Sequence, residues 1–260
     1  MIKLDRPLEG KRILVTRPKG QASQLVERLE GLGAITVALP AIDILPPEDF
    51  QAFDEALTQL EQFDWVVFTS VNGVKSTASR MDELGIPREK LNNRNLAGVG
   101  PATNELTAKE FRTPDLVPKE YVSDSMVAEF GEIADKKFLL LRADIARKEL
   151  PIELTAKGGK VTEVAVYRIV RDPSSHLAAE EPKPDYITLT SSSSVHATLT
   201  KLRESGREAW MNEVPLACIG PITSQTVLDL GYRVAIQAAE YTVPGLVNAL
   251  VEHAGSKQYA

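Results

Sequence analysis

Short apolar runs alternate with stretches of helical periodicity along nearly the whole chain. Apolar runs lie at residues 13–16, 65–69, 96–99, 137–141, 187–190 and 216–219. Between them, segments such as "QASQLVERLEGLG" (21–33) put Leu25, Leu29 and Leu32 on one helical face and stop at Gly33. Buried strands of this length separated by amphipathic helices predict an α/β fold, with parallel sheets wound by helices on both faces. Gly100, Gly220, Ser70 and Ser191 then fall where a strand ends and a helix begins.

The pattern is written twice. "FTSVNGV" (68–74) recurs as "LTSSSSV" (189–195), with Ser70 and Ser191 121 residues apart. "LAGVGPATNEL" (96–106) recurs as "LACIGPITSQT" (216–226), and "EYVSDSMVAEF" from Glu120 as "EYTVPGLVNAL" from Glu240, both 120 residues on. Weaker echoes link "ILVTRP" (13–18) with "LLLRAD" (139–144), 125 apart at Arg17 and Arg142, and "GAITV" with "GKVTE", 126 apart at Gly33 and Gly159. Matches in one order at nearly constant spacing indicate an internal duplication.

Two β-prone runs are too long for ordinary strands: "AITVALPAIDIL" (34–45) and "KVTEVAVYRIV" (160–170). Twelve extended residues reach ~40 Å, about twice a usual strand. Such runs can start in one sheet and continue into another, pairing as a two-stranded ladder. The expected organisation is a discontinuous first domain (1–39 and 171–260) and a second domain (44–166), with crossing strands at about 34–45 and 160–170. A plain tandem split near Asp135 is the simpler alternative. Pro40 favours an edge or crossing position, and "HLAAEEPKPDY" (176–186) reads as an exposed linker back into the first domain.

Composition narrows the function classes. The 260 residues are 43% hydrophobic and 25% charged, as in a globular protein with full cores. Cys218 is the single cysteine, which excludes an internal disulfide and fits a reducing compartment. The three histidines (His176, His196 and His253) have no ligand spacing, so no metal is expected. The formal charge of −6 and the lack of a basic stripe argue against nucleic acid. The charged start "MIKLDRPLEGKRILV" carries no signal-like apolar core, and no run reaches the ~18 apolar residues of a membrane span. A cytoplasmic location is expected.

Taken in order, "ILVTRP", "FTSVNGV", "GVGPAT", "AVYRIV", "TSSSSV" and "IGPIT" resemble the uroporphyrinogen-III synthase family, over about residues 11–252. The resemblance implies two flavodoxin-like α/β domains joined by a two-strand ladder, with the active site in the cleft between them and no cofactor. It implies that linear hydroxymethylbilane loses water and closes, through a spiro intermediate, to uroporphyrinogen III with its last ring inverted. It implies a small-molecule substrate, no nucleic acid and no membrane. A monomer is expected, with a transient contact to the preceding pathway enzyme left open.

An acidic chain cannot attract a substrate with eight carboxylates by its overall field. Strand-end turns can bind it locally, because helix N-termini present free N–H groups. The candidates are Ser70, Asn72 and Gly73; Gly100, Pro101 and Thr103; Ser191, Ser192 and Ser193; and Gly220 and Thr223. Each has a plainer reading: Ser70, Ser191 and Ser192 as helix N-caps, and the threonines as capping hydroxyls. "GVGPAT" lacks the third glycine of a dinucleotide fingerprint. Arg17 and Arg142 end equivalent strands, as carboxylate-capturing groups or surface ion pairs. Cys218 reads as a small buried residue, and Asp64 and Asp185 as solvent-facing turn residues.

Tyr167 in "AVYRIV" is the candidate catalytic residue. Hydroxide leaves poorly, and a phenol can donate a proton at neutral pH; the family resemblance also places a tyrosine here. The alternative is a half-buried ladder residue packing on Val164 or Ile169. The rival function is a non-catalytic two-domain protein that binds a small polyacidic ligand.

Overall fold

The computed structural model describes residues 6–118, 123–172 and 174–256; the first residues of the "EYVSDSMVAEF" repeat, Glu120 to Val122, lie outside them. The first half of the chain runs β1 (Arg12–Val15), α1 (Lys19–Gly31), β2 (Ile35–Ala38), β3 (Ile42–Leu45), α2 (Gln51–Thr58), β4 (Trp65–Phe68), α3 (Val71–Glu83), β5 (Asn95–Gly98), α4 (Pro101–Glu110) and α5 (Ser123–Glu129). It continues through β6 (Lys137–Ala143), α6 (Glu149–Ala156), β7 (Lys160–Arg171), β8 (Tyr186–Leu189), α7 (Ser192–Glu204), α8 (Trp210–Glu213), β9 (Leu216–Cys218), α9 (Pro221–Asp229), β10 (Val234–Gln237) and α10 (Val243–Ser256). Contacts divide the chain into two compact units, Met1–Asp43 with Val170–Ala260, and Ile44–Ile169. Asp135 lies inside the second unit.

The first unit holds the sheet β10-β9-β8-β1-β2, parallel at every pairing. Alternation along the strands fills both faces. Ile13 and Val15 pack with Leu25, Leu29, Leu246 and Leu250 of α1 and α10. Leu14, Ile187 and Leu189 face the other way, onto Val195, Leu199 and Val227 of α7 and α9. Each strand therefore needs apolar residues at successive positions, which is why it reads as an unbroken apolar run.

The second sheet is ordered β3-β7-β6-β4-β5, and its β7-β6, β6-β4 and β4-β5 pairs are parallel. Val66, Phe68, Leu139 and Leu141 pack under α2 and α3, while Val67, Phe138 and Leu140 pack under α5 and α6.

The sequence copies and the compact units do not coincide. In ladder register, Ile13 pairs with Tyr186 as Phe138 pairs with Trp65, so β1 and β2 correspond to β6 and β7, and β8 and β9 to β4 and β5. An isolated parallel bridge from Ala97 to Leu116 stands where β10 stands in the first unit. Each unit thus joins the front of one copy to the back of the other.

Register corrects one repeat offset. Gly10 donates to the Gly33 carbonyl as Asp135 donates to the Gly158 carbonyl, at 3.0 and 2.9 Å. Gly33 is therefore matched by Gly158, not Gly159; both sit at positive φ, 95° and 85°. The adjacent glycines at 158 and 159 hid the one-residue shift.

The long run at 34–45 is also not one strand. It divides into β2 in the first sheet and β3 in the second, interrupted at residues 39–41 around Pro40. Proline has no N–H for a ladder, and the chain changes sheets there. The second long run is a single twelve-residue strand, β7.

Candidate active site

Parallel sheets collect their strand ends on one edge. Along that edge of the first unit come the turn after β9 (Gly220–Thr223), the turn after β8 (Ser191–Ser193) and Arg17 after β1, on adjacent strands. Along the second come the turn after β5 (Gly100–Thr103), the turn after β4 (Ser70–Gly73), Arg142 near the end of β6 and Tyr167 on β7. Three equivalent features repeat in the same spatial order, and the tyrosine occurs in the second unit alone. Its offset counterpart would be Ile42, beyond the break at Pro40.

A β-bulge aims Tyr167. Arg142 pairs with Ala165 but Ala143 pairs with Tyr167, leaving Val166 as the extra residue. Strict alternation would turn Tyr167 to the face of exposed Ala165. The bulge instead brings it into the same apolar cluster as Val164 and Val166. Asp144 holds this stretch: its backbone N–H donates to the Tyr167 carbonyl (3.1 Å), and its carboxylate accepts from the Ile169 N–H (3.1 Å).

Tyr167 is 5% exposed, more deeply buried than a half-buried ladder position, and Val164 and Ile169 belong to its cluster. Its hydroxyl does not face apolar surroundings. Tyr167 Oη lies 2.9 Å from Ser70 Oγ, and the Asn72 side chain acts on the same phenol, favouring its ionised form. Burial pushes the phenol pKa above its ordinary value. The Ser70 and Asn72 hydrogen bonds and the charge of Arg142 oppose that rise, and Asp144 adds to it.

Ser70 is the N-cap of α3, accepting from Gly73 N–H at 3.1 Å. Gly73 has its N–H engaged in this way, and a Cβ there would stand 2.7 Å from the Leu141 carbonyl oxygen. Its requirement is close packing of α3 on β6. Ser191 is the N-cap of α7, with a capping box to Ser194 and a 3.0 Å contact to Ser193 Oγ. Ser192 is the first helical residue, not the cap; its hydroxyl accepts from Thr226 Oγ1 of α9 at 2.7 Å.

The two arginines diverge. Arg142, 5% exposed, donates to the Arg147 carbonyl (2.5 Å) and reaches Glu163 at 3.4 Å. Arg17 is partly buried, with one 3.4 Å contact to Gln21 Oε1; its Nε is buried without an acceptor, and among the described residues no carboxylate pairs with it. Burial pulls both pKa values down from the ordinary range, and for Arg142 the charges of Glu163, Tyr167 and Glu149 oppose that. Neither is the surface ion pair of the plainer reading.

The glycine–proline turns also differ. Gly100 sits at φ 88°, ψ 152°, with open space where a Cβ would stand. Gly220 is extended and lies flat on the Tyr241 ring, 3.1 Å from where its Cβ would be. Thr103 and Thr223 are 5% and 4% exposed, so these side chains belong largely to the interior. Pro101 occupies the first helical position of α4, leaving the Ala102 and Thr103 N–H groups without intrahelical acceptors.

Sequence reasoning passed over Asn104 and Ser224, which follow these threonines at equivalent positions. Among the described residues both Asn104 amide atoms, packed against Gly98, are buried without a hydrogen-bond partner, and so is the Ser224 hydroxyl. The repeat "GPxT" followed by a small polar residue was the available signal. Asp64 and Asp185 do more than face solvent: each carboxylate accepts the backbone N–H that starts the neighbouring strand, Lys137 at 2.8 Å and Arg12 at 2.9 Å.

These features define a duplicated protein of two flavodoxin-like α/β units, each with serine-capped and glycine–proline turns and an arginine at its strand ends, and one of them with a serine–tyrosine hydroxyl pair. A family model described as uroporphyrinogen-III synthase HemD matches residues 23–248, and the chain belongs to that family. A uroporphyrinogen-III synthase of Synechococcus elongatus is 30% identical over 96% of this chain and 98% of its own length. The porphyrin biosynthesis protein HemD of Ruminiclostridium josui is 25% identical over 98% of this chain, which spans 51% of that relative. A crystal structure of a mutant uroporphyrinogen III synthase from the extremely thermophilic bacterium Thermus thermophilus shares the fold, with TM-score 0.73 at 16% identity over 95% of this chain and 100% of that one.

Proposed function

We propose that the chain is a hydro-lyase that cyclises hydroxymethylbilane, with loss of water and inversion of the last pyrrole ring through a spiro intermediate, to uroporphyrinogen III. The observation that carries this reading is the family match over residues 23–248. The strand-end geometry supports it. Arg17, desolvated and lacking an acid partner among the described residues, has the electrostatics of a carboxylate acceptor. The turns after β4, β5, β8 and β9 supply N–H and hydroxyl donors for further carboxylates. Tyr167 is the candidate proton donor to the leaving hydroxyl.

Departure of water leaves a cation that the substrate's own pyrrole stabilises. The protein's task is to hold the chain folded so that the substituted carbon of the last ring is the one attacked. Free hydroxymethylbilane closes spontaneously without inversion, so product identity reports the enzyme directly. We place the reaction in the cytoplasm, catalysed by a monomer; no helix among the described residues is long and apolar enough to cross a membrane. Incubation with hydroxymethylbilane, followed by oxidation and separation of type I and type III isomers, is the test. A type III excess is expected; only type I product would end this reading.

A further inference from the structure

Ser70 Oγ has one proton and two acceptor positions. The Gly73 N–H fills one acceptor position. Its other hydrogen-bond neighbour is Tyr167 Oη, at 2.9 Å. If the phenol donated to Ser70, the serine proton would be left with no protein acceptor among the described residues. If Ser70 donates to the phenol, every group inside the turn is satisfied. Asn72, one residue into α3, reaches the same oxygen and can present its amide N–H. With Oη accepting from Ser70, and Asn72 beside it as a second donor, the hydrogen-bonding function left to Tyr167 is to give its own proton away.

We propose that Ser70 and Asn72 are positioning residues that cradle the Tyr167 oxygen, fixing the phenol as a proton donor and receiving the phenolate it becomes. The β-bulge at Val166 makes the cradle possible, because it turns the ring toward the α3 side of the sheet. The α7 turn is built differently: Ser191 meets Ser193 and Ser194, and among the described residues no tyrosine hydrogen-bonds to it.

The step balances with the substrate's own atoms. The Tyr167 proton passes to the leaving hydroxyl oxygen. The carbon–oxygen bond breaks with its electron pair going to oxygen, water departs, and the substrate is left cationic. Attack by the substituted carbon of the last ring forms a carbon–carbon bond and the spiro centre; the bond from that carbon to its former methylene bridge then breaks, leaving a second pyrrole-stabilised cation. Closure at the free carbon of the inverted ring forms the final carbon–carbon bond, and the proton released there as the pyrrole recovers its aromaticity returns to the phenolate. The inference rests on the proposed synthase activity.

Three Ser70 variants separate this role from helix capping. Ser70→Gly removes the hydroxyl but is a tolerated N-cap, Ser70→Ala removes both, and Ser70→Thr keeps the donor. Each is assayed for type III product and titrated by phenolate absorbance, with Tyr167→Phe as the spectral blank. The expected result is a kcat lower by roughly tenfold in Ser70→Gly and Ser70→Ala, a fraction of full general-acid assistance, with KM little changed. The Tyr167 titration should move to higher pH in both, Ser70→Thr should recover most of the rate, and Ser70→Gly should add nothing to Tyr167→Phe. A wild-type kcat in Ser70→Gly, an unmoved Tyr167 titration, or equal losses in Ser70→Thr and Ser70→Gly would overturn the proposal. Failure of the wild-type protein to form type III product would refute the activity instead, and the titration shift would still report on the cradle.

Discussion

The two units carry the same ladder, yet they have kept different chemistry at equivalent positions. Arg17 and Arg142 occupy one register position, 125 residues apart. In the second unit the guanidinium is committed to the Arg147 carbonyl and Glu163; in the first it has no acid partner among the described residues. The serine cap of the second unit holds a tyrosine, whereas that of the first closes on its own serines. Duplication supplied two similar strand-end edges. Their buried neighbours differ, which puts the proposed proton donor on one and the proposed carboxylate acceptor on the other.

The sharpest test of this division is Tyr167→Phe. The ring stays in its cluster and only the hydroxyl is lost, so turnover should fall roughly ten- to hundred-fold while the thermal midpoint barely moves. Wild-type turnover would return Tyr167 to packing and remove the chemical distinction between the units.

Next come the arginines, where opposite signatures are expected. Arg17→Ala should raise KM roughly tenfold, the weight of one charge-assisted hydrogen bond, with stability unchanged or slightly higher because a desolvated, unpaired cation is gone. Arg142→Ala should cost about 2 kcal/mol in urea unfolding, since it removes a buried donor to the Arg147 carbonyl and opens a buried space. Matching effects in the two variants would show that equivalent register had preserved equivalent roles.

The glycine–proline turns give a smaller contrast. Gly100→Ala forces a side chain into a backbone region that is essentially glycine-only, at about 1–3 kcal/mol. Gly220→Ala is extended and asks only that the Tyr241 ring yield by a few tenths of an ångström, so about 1 kcal/mol or less is expected. Denaturant midpoints of the two variants check the order.

The smallest effect expected is in the first unit's core. Burial pushes the Cys218 thiol up to about 11. The folded state therefore holds this proton more tightly than the unfolded chain. Its contribution is fully present below the unfolded value of about 8.5 and is lost as pH rises through the folded one. Wild type should lose about 0.7 kcal/mol more than Cys218→Ala between pH 8 and 9; parallel stability curves would contradict this.

Local pattern carried the strands, helices, duplication and turns, because alternation and capping chemistry act over a few residues. "GVGPAT" and "IGPIT" read as strand-to-helix turns from their own residues, and α4 and α9 do begin at Pro101 and Pro221. What lay out of reach depended on partners distant in the chain. Apolar content alone joined 34–45 into one strand, but only competition between two sheets for its backbone N–H groups divides it around Pro40. "AVYRIV" alternates regularly on paper, and the extra residue that turns Tyr167 inward exists only against β6. Sequence by itself determined the class of fold, the repeat and the family. Tertiary structure decided which arginine meets a carboxylate, which serine meets the tyrosine and which copy completes each sheet, since register and the compensation of buried groups are set by other elements, from Glu163, 21 positions beyond Arg142, to Tyr167, 97 beyond Ser70.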